Sequence, residues 1–219
     1  MVGSPIRGIC EGLHMQRVLL KKNQKRQSTS ARREQIIEAS RKLIMRYGSE
    51  HVTVRRIAAE IGISEGALYR HFKSKKEVLL FLIRHFEENL TGDLEKRSST
   101  KNILGALENT LRSHLSSVEQ RKGMSFLVIA EIISLGDKEL NKEVFKVLSK
   151  YIGNIKDLIL EGIKTGEIRQ DIDPEMVATS FFGTIQGLVT IWALSNYNFV
   201  LEKKFRSLWD VFQKAIEKD

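Results

Sequence analysis

Glu65, Gly66, Tyr69 and Arg70, followed closely by His71 and Lys73, gather hydrogen-bonding side chains around a glycine that lets another molecule approach. In the most basic third of the chain this combination suits nucleic-acid recognition. Catalytic constellations are missing. The histidines, His14, His51, His71, His85 and His114, form no His-Glu-x-x-His pair, no Gly-rich phosphate loop occurs, and Cys10 has no base nearby in sequence. The expectation is no enzyme, no metal site and no cofactor.

Those polar residues need a scaffold, and the apolar period supplies one. Ile36, Ile37, Leu43, Ile44 and Tyr47 stripe a first helix, capped by Ser28, Thr29 or Ser30 and stopped by Gly48. Thr53 caps a second, which turns Val54, Ile57, Ala58 and Ile61 inward and ends at Gly62. Ser64 caps a third, with Ala67, Leu68 and Phe72 inward. Ser74-Lys75-Lys76-Glu77 then reads as a capping box opening a long fourth helix through Val78, Leu79, Leu82, Ile83, Phe86 and Leu90. Nothing alternates with period two for long, so the fold class is all-α. The short helices flanking Gly62-Ile63-Ser64 match a helix-turn-helix over residues 53–72, the second being the candidate recognition helix. A generic helical hairpin with a solvated polar face has the same spacing.

The run Thr53-Val-Arg-Arg-Ile-Ala-Ala-Glu-Ile-Gly-Ile-Ser-Glu-Gly-Ala-Leu-Tyr-Arg-His-Phe-Lys-Ser-Lys-Lys-Glu-Val-Leu closely resembles the N-terminal DNA-binding domain of TetR-family transcriptional regulators. The resemblance spans about Ala31 to Leu90 and is most specific in the Tyr-x-His-Phe pattern at Tyr69 to Phe72. It implies phosphate contacts at Thr53, Tyr69, His71 and Lys75. Base-edge readout would fall to Arg55, Glu65, Gly66 and Arg70, since arginine suits guanine and glutamate can accept from cytosine N4. Glu65 could equally serve as a repulsive element or a helix-start charge.

Farther along, Ile103, Leu104, Leu107, Leu111, Leu115 and Val118 recur at helical spacing, and an apolar piece runs from Met124 to Leu135. A long amphipathic helix is expected from Lys138 to Thr165, ended by Gly166, and Asp173-Pro174 should start another reaching about Ser195. That helix is apolar on nearly every face, which calls for a membrane, a deep core or a partner. Thr179, Ser180, Thr184, Gln186 and Thr190 dilute it, so no membrane span is expected. Gly183 and Gly187 would instead let a second copy approach, joined by Phe205, Trp209 and Phe212 of a last helix over about 201–218. The resemblance likewise places the dimer's four-helix bundle on the last two helices. It also implies a small-molecule effector, expected at Phe86, Leu111, His114, Phe126, Glu131 and Phe145. By residue type alone His114 and Glu131 read first as hydrogen-bonded core residues, with recognition of a cationic or hydroxylated ligand the alternative for Glu131.

The 219 residues carry a net charge of +9, and residues 1–89 hold 18 Lys+Arg against 9 Asp+Glu while the rest balance at 18 and 18. The excess therefore sits beside the helix-turn-helix. Residues 1–29 read as a basic disordered arm, too interrupted for a signal peptide, with Met15 an alternative start. With a lone cysteine and no signal-peptide pattern, a cytoplasmic chain is the expectation. The expectation is a DNA-binding domain over about 30–90 and an effector and dimerisation domain over 91–219. Together they make a homodimeric regulator, a repressor of a palindromic operator released by a small apolar or amphipathic effector. The alternative is a helical protein that binds anionic membrane or a protein through its basic end.

Overall fold

The structure, a computed structural model, describes residues 29–47, 52–95 and 102–218. Cys10, His14, Met15, Ser28, Gly48, His51 and nearly all of the expected basic arm lie outside the described residues. The chain is all-α. Among the described residues the helices are α1 (Thr29–Tyr47), α2 (Val54–Ile61), α3 (Glu65–Tyr69), α4 (Lys75–Glu95), α5 (Ile103–Gln120), α6 (Met124–Leu135), α7 (Lys138–Thr165), α8 (Pro174–Leu194) and α9 (Phe205–Ile216).

Local chemistry explains most boundaries. The Asn102 side chain accepts the Gly105 N–H at 2.9 Å, and Asp137 and Asp173 cap α7 and α8 in the same manner. α2 ends because Gly62 adopts φ 71°, a left-handed conformation open to glycine at little cost, and its N–H closes on the Ala58 and Ala59 carbonyls. The last helix is shorter than its apolar pattern suggested: a 3-10 turn over Glu202–Lys204 precedes α9. Beyond α9, an isolated antiparallel bridge joins Glu217 to Ile168, tying the end of the chain to the α7–α8 connection.

One continuous apolar core runs from Ile36 to Ile216. α4 is its spine. It carries Val78, Leu79, Leu82, Ile83, Phe86 and Leu90 inward and packs against α5, α6 and α7, while α1 packs on α2 and touches α6. α8 packs chiefly on α7 through the buried stripe Ala178, Phe181, Ile185, Val189 and Trp192.

Candidate nucleic-acid interface and effector cavity

The helix-turn-helix is held from within and polar outside. The Thr53 hydroxyl accepts the Arg56 N–H and the Ser64 hydroxyl accepts the Ala67 N–H, each at 3.2 Å. Ile57, Ala58 and Leu68 are fully buried, so α2 and α3 keep a set relative pose. That pose leaves Arg55, Glu65, Gly66, Arg70 and His71 exposed, with Thr53 half-buried. Tyr69 is 46% exposed, too open for a core tyrosine. Arg55 Nε lies 3.2 Å from Glu65 Oε1, bringing the base-reading candidates of the two helices side by side.

Lys75 is turned elsewhere. Its Nζ lies 2.6 Å from Oε1 of Glu131, a carboxylate buried in the middle of α6. That oxygen has the ion pair but no aligned hydrogen bond. Glu131, expected at an effector pocket or as a hydrogen-bonded core group, instead meets the first residue of α4. The box opening α4 is also altered: Ser74 accepts from the Glu77 N–H at 3.3 Å, but Glu77 Oε2 accepts from Lys73 N–H at 2.7 Å.

A cavity of about 440 Å³ lies where α1 meets α4, α5 and α6. Its walls include Ile37, Leu82, Phe86, Leu90, Val118, Met124 and Val128, with His114 beside them and Glu34, Glu38, Arg41, Arg121 and Lys122 around its polar side. His114 Nδ1 shares a hydrogen bond of 2.8 Å with the Tyr151 hydroxyl. Burial, with the positive charge of Arg121 a lesser cause, pushes the His114 imidazole down to about 4, and burial lowers His85 too, so both rings are neutral at pH 7. Of the expected pocket residues only Phe86 and His114 line this cavity. Leu111 and Phe126 pack into the core outside it, and Phe145 is 72% exposed. Sequence reasoning missed Arg41, Arg121 and Lys122, because nothing in their local pattern reveals that α1 and the end of α5 face one space.

The expected self-association residues divide. Gly183 and Gly187 are exposed on an open face of α8 that also presents Met176, Ile191 and Leu194. Phe205 and Trp209 are instead buried in their own protomer, and Phe212 is half-buried with its ring 5.1 Å from that of Phe181. The aromatic stripe of α9 is turned inward to cover α8 and α5. α8 is the one described helix long and apolar enough to cross a membrane by length and composition.

Residues 36–81 match the family described as bacterial regulatory proteins, tetR family, and residues 81–215 match the YsiA-like protein, C-terminal region. The chain belongs to the TetR family. It is 25% identical over 186 residues to the fatty acid metabolism regulator protein of Bacillus subtilis, covering 83% of this chain and 94% of that protein. It is also 22% identical over 187 residues to the nucleoid occlusion factor SlmA of Photobacterium profundum, covering 84% and 95%. A crystal structure of the transcriptional regulator FadR from Bacillus subtilis in complex with stearoyl-CoA superposes with TM-score 0.74 at 23% identity, covering 84% of this chain and 99% of that one. TetR-family membership makes the chain a transcriptional regulator with a helix-turn-helix. The two family matches meet at residue 81, inside α4, which belongs to both halves.

Proposed function

We propose that this TetR-family chain is a homodimeric repressor that binds a palindromic operator and releases it when a small apolar or amphipathic molecule binds its larger domain. The observation that carries the reading is the exposed row Arg55, Glu65, Gly66, Tyr69, Arg70 and His71, presented by two capped helices whose other face is fully buried. Thr53, Tyr69 and His71 hold phosphate, where the first free amides of α2 and its dipole favour an anion. Arg55, Glu65, Gly66 and Arg70 face base edges. Lys75 reaches phosphate only by leaving Glu131. The open face of α8 around Gly183 and Gly187 pairs with its copy, and the twofold axis sets the two recognition helices on successive half-sites. A relative seen in complex with stearoyl-CoA supports an amphipathic effector. The cytoplasm is where such a repressor meets its operator.

The test is binding to the intergenic DNA upstream of the chain's own gene against a scrambled fragment, at about 150 mM salt. A specific regulator should prefer one fragment by a factor of order a thousand. Equal affinity for both would leave only a sequence-independent basic binder.

A further inference from the structure

The cavity under α1 has unlike walls. Leu82, Phe86, Val118 and Val128 are buried and apolar, whereas Arg121 is a half-buried guanidinium that forms no ion pair among the described residues. The other charges nearly cancel. Arg41 is held by Glu38 at 2.8 Å, and the exposed Lys122 and Glu34 contribute one charge of each sign to the rim. The nearby histidines add no charge at pH 7, as shown above. His114 and Val118 of α5 and Arg121, the residue just past its end, recur at i, i+4 and i+7, so they line one side of the cavity over about 10 Å. His114 is fixed through its Nδ1 by the Tyr151 hydroxyl at 2.8 Å and borders the cavity, so its ring keeps one orientation toward an occupant. An uncompensated cation at one end, an apolar trough and a neutral imidazole at the other describe a ligand as well as a cavity. The volume lies within the range of about 300–1,000 Å³ common for small-molecule sites.

We propose that this seam binds an amphipathic organic anion, its carboxylate or phosphate meeting Arg121 and its apolar body lying along Val118 toward His114. The proposal rests on the reading of the chain as a ligand-responsive regulator. Its location supplies the coupling. Ile37 of α1 and Leu82 and Phe86 of α4 line the same space, so an occupant bears on a helix of the DNA-binding unit directly rather than through a remote pocket.

Isothermal titration of the full chain with decanoate, decanol and decanoyl-CoA tests it, using Arg121→Gln and, as a surface control, Lys142→Gln. Decanoate or decanoyl-CoA should bind the wild type and the control alike, and bind Arg121→Gln at least about tenfold more weakly, because a charge-assisted hydrogen bond is lost. Decanol binding should not respond to Arg121→Gln. Binding of decanoate assigns the anion to a carboxylate; binding of the thioester alone assigns it to phosphate. Equal anion binding by wild type and Arg121→Gln overturns the proposal, as does failure of both anions to bind. Upstream-DNA binding by the same preparations separates the two readings: DNA bound without any anion bound removes the seam site alone, whereas no preference for that DNA removes the regulator reading.

Discussion

Arg70 stands exposed just past α3, aimed away from the buried Leu68 and Phe72, and has no ion-pair partner among the described residues. A side chain so placed carries sequence information if it meets a base. Arg70→Ala should cost about 1–3 kcal/mol on the operator and much less on scrambled DNA, read by filter binding on both. Equal losses on the two would move the recognition face elsewhere. His114 gives a second prediction. Its folded pKa of about 4 lies below the ordinary 6.5, so as pH falls the unfolded chain takes up the proton first. Its neutral burial carries no pH-linked penalty above about 6.5, and about 3 kcal/mol of stability should be lost by pH 4. The lowered His85 acts with the same sign. Urea denaturation between pH 7.5 and 4.5 should show this loss shrinking in His114→Gln, and an unchanged acid slope would reassign it.

At the scale of helices, the start of α4 is lashed to the larger domain. Lys76 lies 3.1 Å from Asp137 and 2.6 Å from Glu139, and farther along Lys150 lies 3.0 Å from Glu87. These solvated pairs are worth little each. The Lys75–Glu131 pair differs because the Glu131 side chain is only 1% exposed, and a buried carboxylate stripped of its partner is expensive. Lys75→Met should therefore destabilise the fold by about 3 kcal/mol, while Lys75→Met combined with Glu131→Leu should recover most of that loss. Additive losses in the double-mutant cycle would show that the contact is incidental. The pair also joins α6 to the first residue of α4, just past the helix-turn-helix, so any movement of α6 changes where Lys75 can point.

For the whole molecule, the open face of α8 and the inward face of α9 predict different failures. Gly187 is exposed with no neighbouring side chain within 4 Å of where its own would begin, so Gly187→Arg should leave the protomer folded. In a dimer built on that face, the arginine meets its copy across the axis. Sedimentation should then show a folded monomer, and operator affinity should collapse because two half-sites no longer act together. A dimer that survives Gly187→Arg would exclude this face. Trp209→Glu should instead unfold the protomer, since Trp209 is 2% exposed within its own core.

What the sequence determined alone was local. Lys138–Thr165 and Pro174–Leu194 agree with their expected spans because Asp137, Asp173, Pro174 and Gly166 act on backbone groups within a few residues of themselves. The helix-turn-helix was legible for the same reason, through Thr53, Gly62 and Ser64. Facing was decided only in three dimensions. Phe145 follows the inward Val144 directly, and one residue turns a helix by about 100°, which carries Phe145 into solvent. Apolar periodicity marked the stripe of α9 but not whether it covers its own protomer or a second one, because burial has the same hydrophobic signature in both. Lys75 meets Glu131, and Arg41 and Arg121 come to border one cavity, through packing between helices far apart in sequence. No short-range pattern encodes such encounters; they exist only once α4 has been clasped by α1, α5 and α6.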